Sequence, residues 1–354
     1  MLYQTKNQHG GDVYGGGITL DFSANTNPLG TPPGVLEAVC RALPRLHRYP
    51  DPYCRRLVQA IAGHEQVPAS YILCGNGAAD LIYTYCAALR PRTAVELAPT
   101  FVEYGAGLAQ VGCRVERYFL HQAQNFDLDE RFLSFLEEKK PEVVFLCNPN
   151  NPTGRLIPLP LLEQILQYCA AQGARLFLDE CFLDLTEDGV SAKSLLAAHP
   201  ELLILKAFTK SYGMAGIRLG YCLCADNALL RRMAAAFPPW NVSSPAQSAG
   251  VAALAERDFL QRTLSLVRTE RRWLTDNLTA LGFWVCPSHA NYLLFRGPLG
   301  LREGLLQQGI AIRGCGNYNG LGDGWYRIAV RPHGENEALI TAIRQFCKEK
   351  ALWQ

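Results

Sequence analysis

Ala207-Phe208-Thr209-Lys210-Ser211-Tyr212-Gly213-Met214-Ala215-Gly216-Ile217-Arg218-Leu219-Gly220-Tyr221 lies just beyond the apolar run Leu202–Leu205. An amine held at a strand end, with a guanidinium eight residues on, suits a particular task. Lys210 can form a Schiff base with an aldehyde cofactor while Arg218 holds that cofactor's phosphate. A lone lysine in a loop is ordinarily just solvated, so the weight of this assignment falls on what the rest of the chain supplies.

With 354 residues, the chain is long enough for two lobes. Apolar residues make up 49% and charged residues 19%, the balance of an ordinary globular protein. A net charge of +2 gives no electrostatic case for nucleic acid or an anionic membrane, so an anionic ligand must be met by groups gathered in a site. No apolar run is long enough to span a bilayer, and Met1-Leu2-Tyr3-Gln4-Thr5-Lys6 lacks a signal-peptide core, which predicts a cytoplasmic protein. The 13 cysteines are scattered without a C-x-x-C pair, and Cys222-Leu223-Cys224 points both thiols to one face of a predicted strand. They read as small core hydrophobes, with no metal site among them.

The middle of the chain alternates short apolar runs with amphipathic stretches. Strands are predicted at Tyr71–Cys74, Thr93–Leu97, Arg114–Tyr118, Val143–Cys147, Arg175–Leu178, Leu202–Leu205 and Leu219–Cys222. Helices are predicted at Ala78–Leu89, Phe101–Val111, Leu128–Glu138 and Leu159–Gln172. This pattern predicts an α/β fold, a mostly parallel sheet covered by helices on both faces. After Trp240 a long helical stretch, Pro245–Leu281, leads to short strands near Phe283–Cys286, Tyr292–Arg296, Ala311–Arg313 and Tyr326–Val330, and then to a helix over Glu335–Lys350. The organisation expected is an N-terminal segment (1–44) packing with the small domain, a large domain (45–240) and a smaller α+β domain (241–354).

Asp179 ends the run Arg175-Leu176-Phe177-Leu178-Asp179-Glu180, where a carboxylate faces the crevice that binds ligands in open α/β sheets. It could keep a pyridine nitrogen protonated and so make the ring an electron sink. Taken alone it is a strand-end acid capping the next turn. Asn148-Pro149-Asn150-Asn151-Pro152-Thr153-Gly154 follows another strand, and Asn151 could donate its amide to a phenolate oxygen on such a ring. Gly75-Asn76-Gly77-Ala78-Ala79 sits between a strand and a helix, where backbone N–H groups of Gly77, Ala78 and Ala79 can approach a phosphate. A dinucleotide-binding fold would use the same device, with Glu96 about 20 residues on as the ribose-binding acid. The third glycine of that fingerprint is absent, and it leaves Lys210, Arg218 and the Asn151 loop unexplained. Phe101 follows a strand and could stack on a flat ring.

Taken together, Asn-Asn-Pro-Thr-Gly at 150–154, Leu-Asp-Glu at 178–180 and Thr-Lys at 209–210 with Arg218 beyond resemble the pyridoxal-phosphate enzymes of the aspartate-aminotransferase fold, in order and spacing, over almost the whole chain. The resemblance implies fold type I with a seven-stranded, mostly parallel sheet, and pyridoxal 5'-phosphate as cofactor. It implies that Lys210, Asp179 and Asn151 are catalytic and that Thr209, with the residues named above, contacts the cofactor. Within that superfamily the chain is similar to the histidinol-phosphate aminotransferases and the L-threonine-O-3-phosphate decarboxylases. Arg48-Tyr49-Pro50-Asp51-Pro52 is similar to a segment both share, whose tyrosine reaches the cofactor phosphate of the partner subunit, so Tyr49 implies a homodimer with shared active sites. Tyr326-Arg327-Ile328 resembles the segment whose arginine binds the substrate carboxylate.

Other segments lean toward the decarboxylases. His9-Gly10-Gly11-Asp12 looks like their His-Gly-Gly-Asn opening, which helps bind the substrate phosphate; Asp12 departs from it and is expected to point away. Asp21-Phe22-Ser23-Ala24-Asn25-Thr26-Asn27 is similar to their next segment, which puts Asn25 beside the substrate, and Ile312-Arg313-Gly314-Cys315-Gly316-Asn317-Tyr318 resembles their arginine-bearing strand. Phe182 stands where aminotransferases usually have a tyrosine bonded to the phenolate oxygen, and Ala207 where relatives have a phosphate-binding Ser or Thr. The resemblance therefore implies decarboxylation of L-threonine-O-3-phosphate to (R)-1-amino-2-propanol O-2-phosphate, the linker of cobalamin assembly. Transamination of histidinol phosphate is the alternative, as is decarboxylation of phosphoserine, which differs by one methyl group. A protein keeping the fold for binding or regulation, without turnover, is the rival from another class.

Overall fold

A computed structural model of the chain describes residues 9–350; the N-terminal stretch read for a signal peptide, Met1 to Lys6, lies outside the described residues. Strand β1 (Leu20–Asp21) precedes helices α1 (Pro33–Ala42) and α2 (Arg55–Glu65). Alternation then sets in with β2 (Ile72–Gly75), α3 (Ala78–Leu89), β3 (Thr93–Ala98), α4 (Glu103–Gln110), β4 (Arg114–Phe119) and α5 (Arg131–Lys139). It continues with β5 (Val143–Cys147), α6 (Leu159–Gln172), β6 (Arg175–Asp179), β7 (Leu202–Ala207), α7 (Phe208–Ser211) and β8 (Gly220–Cys224). Beyond come α8 (Asn227–Ala236), α9 (Ser244–Leu254), α10 (Phe259–Ala280), β9 (Trp284–Val285), β10 (Tyr292–Arg296) and α11 (Leu301–Gln307). The described chain closes with β11 (Ile310–Ala311), β12 (Arg313–Gly314), β13 (Trp325–Ala329) and α12 (His333–Glu349).

Strands β2 to β8 form one seven-stranded sheet in the order β2-β8-β7-β6-β5-β3-β4. Every pair from β7 through β6, β5 and β3 to β4 is parallel, whereas β8 runs antiparallel to both β7 and β2. The predicted α/β architecture thus holds. Val143-Val144-Phe145-Leu146-Cys147 is buried along its whole length, as a strand covered on both faces should be. Val144 and Leu146 belong to one apolar cluster, Val143, Phe145 and Cys147 to another, as the two-residue period of a strand requires. Cys222 and Cys224 likewise share one cluster. At the sheet edge, β4 carries Arg114, Glu116 and Arg117, charges that discourage further strand pairing.

This topology assembles the site. Parallel strands end on one side of a sheet, so the carboxyl ends of β2, β3, β5, β6 and β7 deliver Gly77, Phe101, Asn151, Asp179 and Lys210 to one edge. Because β8 runs the other way, Arg218, which precedes it, reaches that edge too. Across from it stands an antiparallel sheet in the order β12-β13-β10-β9, bearing Arg313 and Arg327. Strand β1 pairs in parallel with β11, and Phe22 packs in the same apolar cluster as Leu274, Leu293, Ile328 and Phe346.

Two expectations are corrected. The stretch Pro245–Leu281 is not one helix: it breaks between Leu254 and Phe259. Helix α9 packs its small residues Ala246, Ala249 and Ala253 into the core shared with Leu57, while α10 contributes Leu274 and Leu278 to the small-sheet core. Helix α10 still begins in the core of α9, with Phe259, and crosses to the small-sheet core along its length, so the break redirects the chain from one core to the other. The segment Ala311–Arg313 is not one strand either; Ile310–Ala311 pairs with β1, and Arg313–Gly314 pairs with β13.

Beneath the Lys210 turn lies a buried ionic cluster. Lys206 of β7 is 3.0 Å from Asp184 and 3.4 Å from Glu65, and Glu65 also meets Lys193 at 2.9 Å and the Tyr221 hydroxyl at 2.5 Å. Burial works to raise the Glu65 carboxyl, but Lys206, Tyr221 and Lys193 outweigh it and hold it at about 2. A depressed carboxyl contributes stability that is fully present above its ordinary 4.5 and is lost as pH falls through about 2. Glu65→Gln is therefore expected to cost about 3 kcal/mol at neutral pH, by leaving buried Lys206 short of a counter-charge. Thermal unfolding of both proteins across the acid range checks this: the gap between them should narrow as pH drops, and a constant gap would contradict it.

Candidate active site

A cavity of about 360 Å³ opens where the strand ends of the large sheet face β12 and β13. Lys210 stands in it on α7, a short turn held from below because Ser211 donates to Asp184 Oδ2 at 2.8 Å and Lys206 to Asp184 Oδ1 at 3.0 Å. Its amine lies 5.5 Å from the centre of the Phe182 ring. Burial, reinforced by the positive charges of Arg327 and Arg218, lowers the Lys210 amine to about 8. An amine so placed is partly neutral near pH 7 and available as a nucleophile.

Asp179, 5% exposed, is fixed by two donors: Tyr104 Oη gives Oδ2 a hydrogen bond at 2.6 Å, and the Cys181 amide gives Oδ1 one at 2.9 Å. Burial raises its carboxyl, with the Cys181 and Tyr104 hydrogen bonds and the Lys210 charge working the other way. The desolvation of this carboxylate is a cost that a cationic ligand would offset. Asn150, not Asn151, holds the loop together. Its side chain donates to Pro99 O and Thr153 Oγ1 and accepts from Thr100, while its carbonyl accepts from Tyr292 Oη. Asn151 instead faces the cavity, where its Oδ1 accepts from Arg327 Nη1 at 2.5 Å, so its Nδ2 is the half turned toward a ligand.

Gly77 caps α3 with φ +91°, and a Cβ there would lie 2.7 Å from Arg218 Nη2. Only glycine leaves room for the guanidinium against the start of the helix, where the Ala78 and Ala79 amides carry the partial positive charge of the helix end. Ala78, Ala79, Thr209, Arg218 and Phe101 all line the cavity, as does Ala207. The Phe101 ring packs edge-on against Tyr104, 5.6 Å between centres.

Arg327, 6% exposed, also donates through Nη2 to Ser23 O at 2.9 Å, while its Nε is buried without a partner. Arg313 donates to Gly314 O and to Asn317 Oδ1 and lies 5.2 Å from the Tyr318 ring centre. Asn25, 2% exposed, lines the cavity with both amide atoms buried and unpartnered, which is costly unless a ligand meets them. His9 and Gly10 line its mouth, and a Cβ on Gly10 would collide with Ser23 O, so the N-terminal run can lie flat against Ser23 only as glycine. Asp12 is exposed and lines an outer groove, not this cavity.

Tyr49 is not brought to the cavity. It is 77% exposed and stacks on Trp240 with ring centres 4.2 Å apart. Sequence reasoning missed Tyr104, and met Ser23 and Tyr318 only as members of longer segments, without a role of their own. The i, i+3 spacing of Phe101 and Tyr104 is a local signal that could have flagged the first; Ser23 and Tyr318 carried none beyond their neighbours.

The aminotransferase class I and II family model matches residues 18–346. The chain is 41% identical over 331 residues to threonine-phosphate decarboxylase of Salmonella typhimurium, covering 92% of this chain and 90% of that one. Among solved structures it is similar to the histidinol-phosphate aminotransferase from Clostridium acetobutylicum (TM-score 0.87, 28% identity, 93% of this chain and 99% of that one). It is also similar to the L-threonine-O-3-phosphate decarboxylase from Porphyromonas gingivalis (TM-score 0.82, 25% identity, 93% and 99%).

Proposed function

The chain belongs to the aminotransferase class I and II family, and from that premise we propose that it is a pyridoxal 5'-phosphate enzyme that decarboxylates L-threonine-O-3-phosphate. The observation that carries the substrate assignment is the grouping of Arg327, Arg313, His9 and the unpartnered Asn25 amide around the cavity that also holds Lys210 and Asp179. Such a set offers cationic and polar groups for two anionic ends of one small molecule.

The residues present fit the cofactor. The space left by the absent Gly77 Cβ beside Arg218, with the Ala78 and Ala79 amides and Thr209, suits a phosphate. Asp179 would hold the ring nitrogen, Asn151 the phenolate oxygen, Phe101 one ring face, and Lys210 Nζ the aldehyde carbon. When bound, pyridoxal phosphate supplies an electron sink for the pair released as a bond to Cα breaks.

Arg327 would take the substrate carboxylate, and Arg313, His9, Gly10 and Asn25 the phosphate end. Remote binding energy at the phosphate would then set which bond to Cα is presented for cleavage. The carboxylate group would leave as CO2, and a proton delivered from Lys210 Nζ would take its place on Cα, giving 1-amino-2-propanol phosphate. Phe182, against which Lys210 rests, cannot donate to the phenolate oxygen and leaves Asn151 as its donor.

The assembly we propose is a homodimer with shared sites, in which Tyr49 of the partner subunit reaches the cofactor phosphate; the exposed Tyr49–Trp240 stack supports this. We also propose the division into an N-terminal segment (1–44), a large domain (45–240) and a small domain (241–354), and a cytoplasmic location for a protein of the pathway that builds the cobalamin linker. Among the described residues no helix is long and apolar enough to cross a membrane.

A substrate panel tests the assignment. L-threonine-O-3-phosphate should release CO2, and histidinol phosphate with 2-oxoglutarate should give no glutamate at a comparable rate. Glutamate formation outpacing CO2 release would make the protein an aminotransferase, and preference for phosphoserine would move it to the other decarboxylase reading.

A further inference from the structure

We propose that Glu103 is a positioning residue for the substrate phosphate, acting by anchoring His9 at the cavity mouth; this rests on the phosphate-binding role proposed for His9. Glu103 begins α4 and does not line the cavity. Both of its carboxylate oxygens are engaged: His9 Nε2 lies 2.7 Å from Oε1, and Tyr83 Oη of α3 donates to Oε2 at 2.6 Å. The residues that meet here are 94 and 20 positions apart, so the pair ties the N-terminal run to the α3–α4 side of the cavity. On the other side of the run, the Gly11 amide donates to Ser23 Oγ at 2.8 Å. The N-terminal run is thus held at Ser23 through Gly11 and at Glu103 through His9, whose ring lies 5.9 Å from that of Phe101.

The charges explain why this matters for binding. A carboxylate beside a phosphate site would by itself repel the ligand. Here its charge is directed into His9 and Tyr83, and the His9 hydrogen bond, ahead of the opposing effect of burial, holds the Glu103 carboxyl below its ordinary value. With Nε2 engaged by Glu103, the orientation of the ring at the cavity mouth is set before a ligand arrives. The His9 side chain is 41% exposed, and ion pairs so exposed add little to folding stability, so loss of Glu103 should register in ligand affinity through lost pre-organisation.

The test uses the full-length holoenzyme. Glu103→Gln keeps an acceptor for His9 but removes the charge, and is expected to raise KM for L-threonine-O-3-phosphate about tenfold while kcat changes by less than about twofold. Tyr83→Phe should act in the same direction and more weakly. Binding of L-2-aminobutyrate, which has no phosphate, followed by the change in the cofactor's visible absorbance, should be unaffected in both. In a His9→Ala background, Glu103→Gln should have no further effect. An unchanged KM, an equal loss of affinity for L-2-aminobutyrate, or full additivity with His9→Ala would each overturn the proposal. If the wild-type protein releases no CO2, the functional assignment fails on its own, and the absorbance titration of the phosphorylated amino acid still decides on Glu103.

Discussion

Lys210→Ala is expected to lower the rate of CO2 release from L-threonine-O-3-phosphate by at least about a thousandfold, and to abolish the linkage between protein and cofactor that borohydride fixes. The amine has two tasks in the proposed reaction, to bond the cofactor aldehyde and to return a proton to Cα, and alanine removes both. The electrostatics single this lysine out. Burial with Arg327 and Arg218 brings its amine to about 8, whereas Lys206, four residues earlier and surrounded by Asp184, Glu65 and Glu180, is raised above the ordinary lysine value despite burial. Two lysines on one turn of chain are thus separated into a nucleophile and a structural cation by their neighbours alone. Among the described residues no carboxylate lies within ion-pair distance of Lys210, although its charge eases the ionisation of Asp179, so the thermal stability of the cofactor-free protein should change only slightly. Retention of activity within tenfold of wild type, or a borohydride-fixed adduct in the variant, would refute the assignment.

Asp179→Asn is expected to lower turnover about a hundredfold or more with little change in KM. Asparagine can still accept from Tyr104 Oη or from the Cys181 amide, so the side chain should keep its place while losing its charge. What is lost is the anion that keeps a ring nitrogen protonated, the condition for the ring to accept electrons. Burial that raises the Asp179 carboxyl in the protein alone is the cost that a cationic ring nitrogen would offset. Steady-state kinetics with a cofactor-binding titration checks the prediction, and an Asp179→Asn protein within about threefold of wild-type kcat would contradict it.

The fold was legible because strands covered on both faces are written as unbroken apolar runs. Val143–Cys147 and Leu202–Leu205 could be read directly, and each ended where a functional loop began. Parallel pairing then brings those loops together without further information. Less legible were features set by choice of packing partner. Ala255-Glu256-Arg257-Asp258 has neither glycine nor proline, so nothing local announces the break between α9 and α10. The split of Ala311–Arg313 depends on β1 and β13, almost 300 residues and a dozen residues away, respectively, as the pairing registers show. In the candidate site, Lys210, Asp179, Asn151 and Gly77 were found because each sits at a strand end with a distinctive neighbour. Tyr104 and Glu103 were not, because their partners Asp179 and His9 are 75 and 94 residues away and only folding makes them neighbours. Tyr49 belongs to another kind of problem, since its expected partner is a second copy of the chain.

The central claim is that this site breaks the bond from Cα to the carboxylate and not the bond from Cα to hydrogen. The most direct measurement is a single turnover of the cofactor-loaded protein with L-threonine-O-3-phosphate, following CO2 and the cofactor's visible spectrum in the same sample. Decarboxylation predicts one CO2 per site and return of the spectrum to its starting form. Conversion of the cofactor to its amine form without CO2, and the same conversion with histidinol phosphate, would contradict it and make the protein an aminotransferase.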